Sequence, residues 1–206
     1  MADEAPERYF RNADAVPPGP GRREFLDALR EALERLRPPQ VRAAETLVSG
    51  DQAEILYAVI PHKELAGVSI AARLSGDEIA ILWARIGGLA NHDDLELGLP
   101  AGGFTLRGEG LSQSIALLEA ELRRPIEVRA MYRDKDANIA KIEYWIEQNG
   151  KDIRVGTVLR DRVRCWNLYL PWRVEKYFTT FMTENSLPVS APSGAEQWFK
   201  ASPTPS

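Results

Sequence analysis

The chain has only two histidines in 206 residues, and each stands beside acidic side chains. His62 is followed by Lys63 and Glu64, and His92 by Asp93 and Asp94. A divalent cation needs three or four converging ligands. His62, Glu64, His92 and either Asp93 or Asp94 could supply a metal or small-ligand site, provided the two loops that carry them meet. Neither segment has a His-x-x-x-His or paired-cysteine spacing, so solvated loop histidines are the simpler expectation. The lone Cys165 could in principle pair with a histidine as a nucleophile. Its neighbours are apolar and aromatic, and there a free cysteine behaves as a small hydrophobe. Gly67-Val-Ser69-Ile-Ala71 lacks the closing glycine of a nucleophile elbow and opens a strand instead of following one. Gly108-Glu109-Gly110 precedes a helix, but no further phosphate-loop residues follow and Glu109 would repel phosphate. It reads as a flexible lead into the helix. No catalytic residue and no cofactor is assigned.

The most unusual local composition is the stretch from Arg160 to Lys176, where arginines interleave with Trp166, Tyr169, Trp172 and Tyr177. Trp, Tyr and Arg dominate the energetic centres of protein interfaces. Arginine alternating with aromatics also grips single-stranded nucleic acid, by phosphate pairing and base stacking. The candidate partner-binding residues are Arg162, Arg164, Trp166, Tyr169, Trp172 and Arg173.

These residues must be held by an ordered body, and hydrophobic periodicity outlines one. Arg22 to Arg37 places Phe25, Leu26, Leu29, Ala32, Leu33 and Leu36 on one helical face, and Pro38-Pro39 ends it. Residues 41–48 fit a strand or a helix equally well. Strands follow over 53–60, 68–74 and 79–86. The last two form a hairpin across Gly76-Asp77 that sets Leu74 opposite Ile79, Ala72 opposite Ile81 and Ile70 opposite Trp83. The small residues of its other face, Ser69, Ala71, Ala80 and Ala84, invite close approach of a helix. Residues 87–110 are glycine-rich and loop-like, with a short strand at 104–106. Leu111 to Arg124 forms a second helix with Ser112 as its N-cap. Ile126, Val128, Ala130 and Tyr132 alternate inward on a strand. Trp172 to Met182 reads as a third helix, with Val174, Tyr177, Phe178 and Phe181 on its apolar side.

Asn149-Gly150 is the strongest turn signal in the chain, because a type I′ hairpin needs positive φ at both central residues. Counting outward pairs Glu147 with Asp152, Ile146 with Ile153, Trp145 with Arg154, Tyr144 with Val155, Ile142 with Thr157 and Ala140 with Leu159. Ile146, Tyr144 and Ile142 then share a core face. Trp145 and Arg154 fall on the other, mostly polar face.

Apolar content of 44%, charged content of 27% and a net charge of −4 are those of an ordinary globular chain, and they argue against nucleic acid as the main partner. One cysteine excludes an internal disulfide framework and fits a reducing compartment. No run of about 18 apolar residues suggests a membrane span. The acidic N-terminus lacks an apolar signal core, so a cytoplasmic protein is expected. The expected fold class is α+β, with antiparallel meander sheets and amphipathic helices packed on one face, in the order helix, three or four strands, helix, three strands, helix. Residues 22–185 form its single domain. A disordered or irregular tail (1–21) precedes it, and a disordered Pro/Ser-rich tail (186–206) follows. The expected function is non-enzymatic: a small domain that binds another protein, chaperone-like or inhibitor-like. The alternatives are an enzyme or ligand-binding domain using the two histidine loops, and a single-stranded nucleic-acid contact through Arg160 to Lys176.

Overall fold

The computed structural model describes residues 8–15, 19–50, 55–86, 97–98, 105–132, 139–159 and 173–184. It is an α+β arrangement of two antiparallel sheets and two α-helices. Helix α1 spans Arg22–Leu36 and α2 spans Leu111–Leu122. The first sheet is a meander of β1 (Leu47–Gly50), β2 (Ile55–Pro61), β3 (Ser69–Ser75) and β4 (Glu78–Ile86). Two short strands, β5 (Leu97–Gly98) and β6 (Thr105–Gly108), share the far edge of β4. The second sheet has the order β10-β7-β8-β9, with β7 at Ile126–Tyr132, β8 at Ile139–Gln148, β9 at Lys151–Leu159 and β10 at Arg173–Thr179.

The hairpin expected across Gly76-Asp77 forms with the register read from the sequence: Leu74 faces Ile79, Ala72 faces Ile81 and Ile70 faces Trp83. The helices cover its large-residue face. Phe25, Leu29 and Leu33 of α1 and Leu118 and Leu122 of α2 join Ile79, Ile81 and Trp83 in one buried cluster. The small-residue face was the one expected to receive a helix. Among the described residues its cluster of Val59, Ala71, Ala80 and Leu82 includes no helical residue. Large side chains remove more apolar area from water per contact, so the helices bury the larger face.

Other local expectations change in instructive ways. Residues 43–45 make a single 3-10 turn before β1, which settles the strand-or-helix ambiguity by splitting the segment. The expected third helix is a strand, β10, paired along its full length to β7. The order is therefore not helix, strands, helix, strands, helix, because the last element completes a sheet. Helix α2 starts on Gly110, not on a Ser112 cap. Nor is Gly108 a flexible lead. A Cβ there would lie 2.7 Å from the Ser114 backbone nitrogen, so glycine lets β6 abut the first turn of α2. Part of the N-terminal lead-in is also ordered on the body. Phe10 is buried, its N–H donates to Thr46 Oγ1 at 2.7 Å, and the Asn12 amide bonds both polar groups of the Val48 backbone.

The Asn149-Gly150 turn has positive φ at both residues, 53° and 73°. The pairs Glu147–Asp152, Ile146–Ile153 and Trp145–Arg154 follow as expected. Beyond them the register slips by one residue. Tyr144 faces Gly156, not Val155, and Ile142 faces Val158, not Thr157. Val155 is the extra residue of a bulge and is itself buried. The cause is steric. A Cβ at position 156 would stand 2.8 Å from Tyr144 Cδ2 and 3.2 Å from Val68 Cγ2. Only glycine fits between the Tyr144 ring and the loop of the first sheet. Gly156→Ala is therefore expected to lower stability by about 1–3 kcal/mol in urea unfolding, as overpacking does. An unchanged midpoint would contradict the bulge.

Candidate interaction surface

The alternation of β7 sends Ile126, Val128, Ala130 and Tyr132 inward and leaves Glu127, Arg129 and Met131 on the outer face. Register then assembles that face in rows. Phe178, Glu127, Trp145 and Arg154 lie side by side across the four strands. The next row is Lys176, Arg129, Glu143 and Thr157, and a third begins with Val174, Met131 and Lys141.

Charges on this face compensate one another locally. Arg129 bonds Glu127 at 2.8 Å and Asp152 at 2.6 Å, and its guanidinium lies 4.4 Å from the centre of the Trp145 ring. Lys176 reaches Glu127 at 2.7 Å. Glu143 accepts from Trp145 Nε1 at 3.1 Å and pairs with Lys141 at 2.5 Å and Arg154 at 3.3 Å. The Arg129 bond is the largest influence on the Glu127 carboxyl, and with Lys176 it outweighs burial and holds the pKa at about 2. Burial alone would raise the Glu143 carboxyl, but Lys141, Trp145 and Arg154 together hold it low. Trp145 is thereby fixed as a flat, half-buried platform between two guanidinium groups.

The edge of this face on β10 has a different character. Phe178 is 67% exposed and Val174 44%, and they are the exposed large hydrophobic residues among those described. They were missed as surface residues because Val174, Tyr177, Phe178 and Phe181 repeat at helical spacing. In a strand the same residues divide: Tyr177 and Thr179 turn inward, while Val174, Lys176 and Phe178 turn outward. The β-branched and aromatic content of Val174 to Thr179 was the available strand signal.

The residues singled out from the sequence fare unevenly. Arg162, Arg164, Trp166, Tyr169 and Trp172 lie outside the described residues, as do Cys165, His92, Asp93 and Asp94. Arg173 is exposed at the start of β10, stacks 4.6 Å from the Tyr132 ring and pairs with Glu175 at 3.1 Å.

His62 is not a solvated loop residue. It is buried, and its Nδ1 accepts the backbone N–H groups of Glu64 and Leu65, both at 3.2 Å. The proton of the neutral ring therefore sits on Nε2, which faces the Thr180 backbone without closing a hydrogen bond. Phe181 packs edge-on at 4.8 Å. Burial pushes the imidazole pKa down to about 3. This is a histidine that shapes its loop. Among the described residues no cluster of three His, Cys, Asp or Glu could hold a metal ion. No helix among them is long and apolar enough to cross a membrane. Compared with family models, curated proteins and solved structures, the chain matches none.

Two titrations follow. A buried neutral histidine binds fewer protons folded than unfolded. Its contribution is complete above the unfolded pKa near 6.5 and is lost as pH falls toward 3. His62→Asn keeps an acceptor for the two N–H groups and cannot titrate. Below pH 6.5 the wild type should lose up to about 1.4 kcal/mol per pH unit relative to this variant in urea melts. Parallel curves would contradict burial of the ring. Glu127→Gln should cost about 2 kcal/mol at pH 7. The folded carboxyl titrates near 2, so that gap should narrow only below about pH 4.5 and close toward pH 2.

Proposed function

We propose that the protein is a non-enzymatic binding domain that engages another protein through the outer face of its second sheet, with the β10 edge at the centre of contact. The observation that carries this reading is the pair Val174 and Phe178, both exposed on the outer face of β10 on either side of Lys176, with a rigid Trp145 platform in the row of Phe178. Exposed aromatic and aliphatic anchors flanked by ordered arginine are how interfaces concentrate their energy. Single exposed hydrophobes are common, but these two occupy one face of one edge strand. Edge strands also offer unpaired backbone groups to an extended segment of a partner. The pairing of Arg129, Arg154 and Lys176 with carboxylates weakens the nucleic-acid alternative, since a phosphate would have to displace them. The structural role of His62 likewise removes one member from the alternative enzyme or ligand site.

The test uses the full chain. Phe178→Asp should leave stability within about 0.5 kcal/mol, as surface changes do. It should reduce co-purification of a specific partner from the source cells at least tenfold, a loss of about 1.4 kcal/mol. Glu45→Gln, placed on the first sheet's side, should leave recovery unchanged. Equal recovery by wild type and Phe178→Asp would overturn the proposal.

A further inference from the structure

Among the described residues, the other sheet edges are each blunted in a way that β10 is not. Along β1, both backbone groups of Val48 are taken by the Asn12 amide. The far edge of β4 carries only the two residues of β5 and the four of β6. On β9 the bulge at Val155 interrupts the ladder, and Lys151, Asp152 and Arg154 stand exposed. By contrast, β10 pairs with β7 over all seven of its residues without a register shift, and no described strand lies beyond it. Its residues make no hydrogen bond to any segment outside those described. An edge of this length, regularity and apolar character is a template for a further strand.

The pattern on that edge is complementary to itself. The outward side chains are Val174, Lys176 and Phe178, and Lys176 is the midpoint of the strand. Antiparallel pairing of two copies about a two-fold axis at Lys176 sets Val174 of each copy opposite Phe178 of the other and uses every residue of β10. Aliphatic–aromatic pairs of this kind stabilise a ladder, and each exposed hydrophobe is covered by its complement. Lysine is the residue that most often protects an edge, and two would meet at the axis. Each ammonium, however, is held 2.7 Å from Glu127 on β7, so it is drawn back over its own sheet and away from the axis. The two charges diverge, and each is already compensated. We propose that two copies of the chain join β10 to β10 in this register and extend the two four-stranded sheets into one. This pairing rests on the binding surface proposed above and names its partner as a second copy of the chain.

Light scattering of the full chain over a range of concentrations measures the association. A mass rising to twice that of the chain is expected, and Phe178→Asp should weaken the dimer at least tenfold with an unchanged urea midpoint. Disulfide trapping in a Cys165→Ser background, under mild oxidation, reads the register. Lys176→Cys should give a linked dimer, because the two copies of position 176 face each other within reach of an S–S bond. Val174→Cys should not, because its two copies lie four strand residues from one another, about 13 Å apart. A single-chain mass at every concentration overturns the proposal. So does a dimer that Phe178→Asp leaves intact, or equal trapping at positions 174 and 176. A monomer that captures a different protein, and loses it on Phe178→Asp, also overturns the self-pairing while leaving the binding surface itself standing.

Discussion

Glu121 is a carboxylate only 1% exposed, and the two sheets are joined through it. It accepts from Trp83 Nε1 on β4 at 2.7 Å and takes two bonds from Arg124 at 2.6 Å. The Arg124 guanidinium also donates to the Glu147 carbonyl on β8 at 2.8 Å. One chain of charge-assisted bonds therefore runs from the first sheet, through α2, to the tip of the Asn149-Gly150 hairpin. A buried charge is tolerable only when its partners are in place, and removing one typically costs about 3–5 kcal/mol. That penalty restricts how α2 and the second sheet can sit against Trp83. Ridge-and-groove packing of Leu118 and Leu122 alone would leave more freedom.

The position of β10 follows from the same core. Beyond its end, Phe181 is buried between His62 at 4.8 Å and Trp83 at 6.0 Å. Gln40 clamps the next residues, donating its backbone N–H to the Phe181 carbonyl and its side-chain amide to Thr183 and Glu184. His62 thus contributes an apolar edge and a loop cap where acid–base chemistry was a possibility. With its C-terminal end held, β10 pairs to β7 across seven residues, and strand alternation commits Val174 and Phe178 to the outside. Their exposure follows from how the strand is anchored.

Where a local rule governed, the sequence was legible. The turns at Gly76-Asp77 and Asn149-Gly150 set their near registers, and alternation in Ile126 to Tyr132 identified its buried face. Legibility ended where distant partners decided. Gly156 sits across from Tyr144, where Val68 in the loop before β3 comes close, and the only local hint was a glycine inside a strand pattern. Val174 to Phe181 carries a helical period that pairing with β7 overrides. Glu121 is one of two glutamates on α2, and its burial depends on Trp83, 38 residues away. The candidate surface was half visible. Trp145 and Arg154 were placed on the outer face by counting from the turn, but Phe178 was assigned to a core it does not enter.

The claim that Glu121 couples the two sheets is tested most directly by a double-mutant cycle on its two partners, Trp83→Phe and Arg124→Met, measured by urea unfolding at neutral pH. Both side chains converge on one buried carboxylate, so a coupling energy of about 1 kcal/mol or more is predicted. Strictly additive effects, within about 0.3 kcal/mol, would contradict the account and leave the sheets held by apolar packing alone.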